Sequence, residues 1–169
     1  MIITYQGGRS FKVSQGELSL AINPKAKTSA DVTIFTDDRG DTSDKSGFVI
    51  DGAGEYEIKG IFIKGFLGGT YLITFEGIRI CLLGQTAGDE LEDIDILLTS
   101  TDAYKTAVSL EPAIIIPMGY DPSTSSGQAS LAQFLKEAGE SGVEPLDKLV
   151  IKKKDLEGKE GEVVVLKEE

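Results

Sequence analysis

The sequence predicts an α/β protein in which sheet packs on sheet and helices lie outside. Three observations carry this. Up to residue 83 the chain holds short apolar runs divided by turn-forming Gly, Asn and Pro, at strand spacing. Residues 94–99 and 113–117 are apolar without alternation, as in strands covered on both faces. Helical spacing enters only in the second half, so meandering strands come first and β-α-β units later.

Each element follows from its residues. Residues 1–5 read as a strand, ended by Gly7-Gly8. Residues 10–13 and 18–22 flank Ser14-Gln-Gly-Glu17 as a hairpin, and Asn23-Pro24 ends that unit. Residues 25–30 are a polar connection. Residues 31–35 form a strand that breaks into Thr36-Asp-Asp-Arg-Gly-Asp41. After the polar stretch 42–47 come a strand at 48–50, a turn at 51–54, and strand-like runs at 56–66, 71–75 and 78–83. Glu76-Gly77 is a tight hairpin signal, and Gly65, Gly68 and Gly69 mark another turn. Residues 102–110 read as a short helix with Asp102 near its start. Residues 126–139 are the strongest helix: Leu131, Phe134, Leu135 and Ala138 share a face, and Gly139 stops it. Closing strands are expected at 149–151 and 163–166.

The chain has 169 residues, 40% hydrophobic and 27% charged, which suits one sizeable core, and one domain over 1–169 is expected. The net charge of −11 argues against nucleic acid, whose phosphates need Lys and Arg. The ordinary consequence of such acidity is solubility. No apolar run is long enough to span a bilayer, so no membrane partner is expected. The opening strand leaves no room for a secretory leader, and the lone Cys81 allows no internal disulfide; a reducing, cytoplasmic setting follows as the expectation. Cys81 sits in an apolar run and reads as a buried small hydrophobe.

There is no histidine. That excludes serine–histidine and cysteine–histidine catalysis, imidazole bases and every histidine-held metal. Asp37, Asp38 and Asp41 are three carboxylates in five residues at the end of a strand. They are weak candidates for holding a hard cation, Mg²⁺ or Ca²⁺, together with Asp44. The competing reading, an Asp-rich turn bonded to its own backbone, is the stronger, since the spacing does not fit the calcium-loop pattern.

Six stretches, in order, resemble the metallo-β-lactamase-fold superfamily, in particular a bacterial branch of predicted zinc-dependent hydrolases. Ile3-Thr-Tyr-Gln-Gly-Gly-Arg-Ser-Phe11 resembles Ile-Thr-Tyr-Leu-Gly-His-x-x-Phe, and Ala21-Ile-Asn-Pro24 resembles Ile-Asp-Pro. Gly54-Glu-Tyr-Glu-Ile-Lys-Gly60 resembles Gly-Glu-Tyr-Glu-Val-x-Gly. Gly77-Ile-Arg-Ile-Cys-Leu-Leu-Gly-Gln85 resembles Gly-Leu-x-Ile-x-His-Leu-Gly-Asp. Asp95-Ile-Leu-Leu98 and Glu111-Pro-Ala-Ile-Ile-Ile-Pro-Met-Gly-Tyr120 complete the set; the last resembles Glu-Pro-x-x-x-Ile-Pro-Met-His-Tyr. The resemblance implies an αββα sandwich, two mixed sheets flanked by helices, with a cleft at one edge.

The departures are systematic. Where the family has Thr-His-x-His-x-Asp-His, Asp37, Arg39 and Thr42 stand for the histidines, and only Asp41 matches. Gly8, Leu82 and Gly119 also replace histidines; Asn23 and Gln85 replace aspartates. The loop between Lys64 and Tyr71 is too short to carry its ligand. The resemblance therefore implies a degenerate member without a zinc site or other cofactor. Its vestigial site comprises Gly8, Asn23, Asp37, Arg39, Asp41, Leu82, Gln85 and Gly119. These are expected to gather in space, with Arg39 near Asp37 or Asp41 and Cys81 on the strand face opposite Leu82.

Three functions remain open on the sequence. The first is a non-catalytic binding or scaffold module for an unknown small molecule or protein. The second is a hydrolase with altered, carboxylate-held Mg²⁺ or Ca²⁺, or residual metal chemistry. The third is a structural subunit of an oligomer or of an active paralogue. Other motifs are weaker. Glu55 and Glu57 share one strand face with Tyr56 opposite, and read as an exposed face before an acid–base pair. Lys152 to Lys154 read as a solvated strand end. Gly52-Ala-Gly54 lacks the Gly-Lys-Ser/Thr ending of a phosphate loop.

Overall fold

The computed structural model describes residues 1–36, 47–85, 87–88 and 90–169. Asp37, Asp38, Arg39, Asp41 and Asp44 lie outside the described residues, and so does the expected contact of Arg39. The first strands are β1 (Ile2–Tyr5), β2 (Phe11–Gln15), β3 (Leu18–Ile22), β4 (Val32–Ile34) and β5 (Phe48–Ile50). Then come β6 (Gly54–Ile58), β7 (Ile61–Phe66), β8 (Thr70–Phe75), β9 (Ile78–Leu82) and β10 (Ile96–Ser100). Helix α1 (Tyr104–Ser109), β11 (Ile114–Met118), α2 (Ser125–Glu137), β12 (Leu149–Val150) and β13 (Glu162–Val163) complete the order.

Two mixed sheets form, one ordered β12-β1-β2-β3-β4-β5 and the other β13-β11-β10-β9-β8-β7-β6. Alternation decides which side chains face inward. In β2, Phe11 and Val13 are buried while Lys12 is exposed. The inward residues of the two sheets, among them Ile3, Leu20, Ile34, Ile73, Ile80, Leu98 and Ile116, make one core between the sheets. A second cluster lies on the outer face of the seven-stranded sheet. There Leu72, Cys81, Leu97 and Ile115 meet Ala107 of α1 and Phe134 of α2.

As expected, β10 and β11 are parallel neighbours joined through α1, with Ile96 opposite Ile114 and Leu98 opposite Ile116. Both are buried because one face looks into the sandwich and the other lies under the helices. Helix α2 starts at Thr124, whose hydroxyl accepts from the Gly127 N–H at 3.1 Å. It ends before Gly139 at φ 71°. Among the described residues no helix is long and apolar enough to cross a membrane.

The structure corrects several boundaries. The run 56–66 is a hairpin, β6 and β7, rather than one strand. Lys59 and Gly60, at φ 52° and 82°, make the two-residue turn, and β-rich flanks hid it. Glu76-Gly77 makes the same kind of turn, as predicted. Gly65 belongs to β7, not to the following turn: the Tyr71 ring lies where its Cβ would be. Lys153 opens a 3₁₀ turn, Lys153–Leu156, instead of continuing a strand, and its ammonium pairs with Asp95 at 2.6 Å. Among the described residues both α-helices pack on the seven-stranded sheet. On the other sheet the parallel β3–β4 connection is too short for a crossover helix, and its irregular residues Pro24 to Ser29 face Lys12 and Ala21 across a hollow.

Candidate functional site

The site region lies where β1, β3, β4, β9 and β11 end. Gly8 and Gly119, far apart in sequence, touch there. The Gly119 N–H donates to the Gly8 carbonyl at 2.6 Å. The Tyr5 hydroxyl lies 3.1 Å from the same carbonyl and 3.1 Å from the Tyr120 carbonyl, so its single proton serves one or the other. The Tyr5 and Tyr120 rings stack at 5.9 Å. Burial raises the Tyr5 phenol and pushes the Tyr120 phenol up to about 12, with Glu168 adding to both; each remains a protonated donor at neutral pH.

Gly8 and Gly119 have φ of 61° and 78°, the left-handed region that favours glycine. Crowding does not exclude side chains: a Cβ would lie 4.0 Å from Lys25 at Gly8 and 3.9 Å from Ser100 at Gly119. A hollow of about 450 Å³ opens here, bounded also by Lys25, Asp121, Ser123 and Glu168. Lys25 and Glu168 pair at 3.0 Å, in the space a Cβ on Gly7 would need. Hydrogen bonds from the Ser123 hydroxyl and N–H hold the Asp121 carboxyl below its ordinary range.

Asn23 links this corner to the end of β4. Its Oδ1 accepts from the Thr36 N–H at 2.9 Å, and its Nδ2 lies 3.3 Å from the Arg9 carbonyl and 3.1 Å from the Thr36 hydroxyl. A carboxylate could accept the first bond but could not donate the second. Asparagine at φ 45° also suits the left-handed turn before Pro24.

A second, larger cleft of about 670 Å³ lies on the other side of Arg9. Arg9, Thr36, Asp51, Phe66, Leu67 and Gln85 line it. The β7–β8 turn forms one wall. Its Gly68 carbonyl accepts from the Gln85 N–H at 2.9 Å, and Thr70 Oγ1 accepts from the Gly84 N–H at 2.9 Å. The approach is so close that a Cβ on Gly84 would run into the Gly68 carbonyl, and one on Gly69 would lie 3.0 Å from the Thr36 carbonyl. The short turn therefore fills space directly beside Gln85.

Of the expected residues, Gly8 and Gly119 come together. Asn23 joins them through Arg9, and Gln85 through Gly68, Gly69 and Thr36. Leu82 is fully buried and belongs to the core between the sheets, opposite Tyr71 and Leu98 in register. Cys81 faces the other way, into the helix-covered cluster, as strand alternation requires; burial pushes its thiol up to about 12. Sequence reasoning missed Tyr5, Arg9, Thr36 and Glu168 as site residues. Tyr5 and Arg9 stand inside the Ile3–Phe11 motif, and Thr36 opens the Asp-rich stretch. Glu168 gave no signal, because a bridge to Tyr5 at the far end of the chain brings it in.

No protein-family model and no curated protein matches the chain. Solved structures do. A Thermotoga maritima protein, provisionally named a zinc-dependent hydrolase of the metallo-β-lactamase superfamily, superposes with a TM-score of 0.79 at 25% identity, covering 98% of both chains. This chain has the metallo-β-lactamase fold. The metallo hydrolase Igni18 from Ignicoccus hospitalis matches at 0.60 and 15% identity, over 89% of this chain and 99% of its own. The metallo-β-lactamase-fold protein YhfI from Bacillus subtilis matches at 0.61 and 10% identity, over 99% and 97%. The resemblance read from the six motifs is borne out at the level of fold.

The metal of such hydrolases does not fit these residues. Zinc needs nitrogen, sulfur or carboxylate donors around an open position. Gly8 and Gly119 offer no side chain, Leu82 is apolar, and the Asn23 amide is engaged at both ends. Among the described residues no three His, Cys, Asp or Glu side chains are grouped to hold a metal.

Proposed function

We propose that this chain is a non-catalytic binding module on a metallo-β-lactamase fold, taking a small-molecule ligand in the cleft between Arg9 and the β7–β8 turn. The observation that carries the reading is the 2.6 Å bond from the Gly119 N–H to the Gly8 carbonyl. It joins main chain to main chain at two positions that the resemblance assigns to histidines. With Leu82 in the core, the described residues that remain, Gly8, Asn23, Gln85 and Gly119, are engaged with protein groups. The cleft at Gln85 persists, and a persistent cleft is what a binding module needs.

The competing reading is a hydrolase using Mg²⁺ or Ca²⁺ held by Asp37, Asp38 and Asp41, oxygen ligands of the kind such ions take. The discriminating experiment is a hydrolysis screen on untagged protein with lactone and phosphodiester substrates, run with zinc, Mg²⁺, Ca²⁺ or chelator. The binding-module reading expects no turnover above the blank in any arm. Turnover in the Mg²⁺ or Ca²⁺ arm, abolished by Asp41→Asn, would establish the hydrolase reading instead.

A further inference from the structure

The clearest unexplained group is Arg9. The chain carries 28 acidic residues against 17 basic ones, so a cation drawn partly out of water has carboxylates available to it. Among the described residues the other half-buried cations, Lys64, Arg79 and Lys159, each have one within ion-pair distance. Arg9 is half-buried, lines the 670 Å³ cleft and has no ion-pair partner among the described residues. Removing a guanidinium from water without an anion is unfavourable, and a planar fork of donors suits a carboxylate or phosphate.

The rest of the cleft narrows the ligand. Phe66 and Leu67 supply an apolar wall, and Leu67 is 83% exposed at the tip of the β7–β8 turn, where a leucine gains most from being covered. Asp51, on the same cleft, disfavours a second negative group. The Asn23 bond to the Arg9 carbonyl fixes the backbone from which the guanidinium extends. Resting on the binding-module reading, we infer that the cleft takes a small organic monoanion, its carboxylate or phosphate head on Arg9 and its apolar body against Phe66 and Leu67.

The test is a titration of the full chain, followed by amide chemical shifts and calorimetry. The probes are benzoate and phenyl phosphate, with benzyl alcohol as the uncharged comparison. Both anions should bind, with shifts confined to Arg9, Thr36, the 66–69 turn and Gln85, and benzyl alcohol should bind more weakly. Arg9→Gln should weaken the anions about tenfold or more and leave benzyl alcohol unchanged, as expected for loss of a charge-assisted pair. Leu67→Ser should weaken all three. Binding indifferent to Arg9→Gln, or shifts elsewhere on the surface, would overturn the inference while leaving a non-catalytic module intact. Absence of binding by both anions would overturn it too. Stoichiometric zinc with chelator-sensitive hydrolysis would instead remove the reading beneath it.

Discussion

Asn23 is the residue where chemistry is most particular. It donates to one loop and accepts from another, so it is not an aspartate that has merely lost its charge. Restoring the family's residue, Asn23→Asp, sets a carboxylate oxygen against the Arg9 carbonyl, and should cost about 1–3 kcal/mol, read from urea denaturation midpoints. Unchanged stability would mean that the Arg9 bond contributes nothing. Cys81 gives a second residue-scale test. Its thiol is buried and protonated at neutral pH. Iodoacetamide at pH 8 should leave it unmodified in the folded protein and alkylate it fully in denaturant. Alkylation of folded protein at the free-thiol rate would contradict its placement.

At the scale of elements, the β7–β8 turn and the β9 end are pressed together without room for a methyl group at Gly84. Gly84→Ala should cost about 1–3 kcal/mol, the range for overpacking, because the atom it meets is backbone and cannot rotate away. The same variant should shift the amide resonance of Gln85, whose N–H is tied to Gly68. A second element-scale contact joins the sheets. Asp31, before β4, pairs with Lys59 of the β6–β7 turn at 2.6 Å and accepts from the Ser19 N–H at 2.9 Å. The Lys59 hydrogen bond, then the Ser19 N–H, hold the Asp31 carboxyl below its ordinary value of 3.8. A depressed folded value means a contribution that is present above 3.8 and lost as pH falls below it towards that folded value. The effect is small for so exposed a pair. Asp31→Asn should flatten the stability curve in that acid window and leave its slope near neutrality unchanged. An unaltered acid limb would contradict the contact.

For the whole molecule, the core between the sheets is the main source of stability. Ile73→Ala or Ile80→Ala, each at a fully buried inward position, should cost about 2–5 kcal/mol by calorimetry or denaturant. Much of this architecture was legible in the sequence. The parallel pair β10–β11 showed itself as apolar runs without alternation, and α2 as a helical stripe ending at Gly139. The β6–β7 turn was not legible, because Lys59-Gly60 interrupts a β-rich run without a break in hydrophobicity. That both described α-helices pack on the seven-stranded sheet was not legible either: the length of the β3–β4 connection matters only once those strands are known to be parallel. At the candidate site the sequence shows only which side chains are absent; the contacts made there instead are not legible. Main-chain bonds such as Gly119 to Gly8, and an ion pair from Glu168 near the chain end, leave no residue pattern to read.

Gly8 and Gly119 bond to each other and Leu82 lies in the core, so the described residues of this region offer zinc no donor set. Untagged, chelator-treated protein titrated with zinc in a calorimeter, with elemental analysis of the protein as purified, checks this. No stoichiometric metal on purification and no saturable heat at micromolar zinc are expected. One equivalent of zinc, bound with micromolar or tighter affinity, would show that a metal site survives.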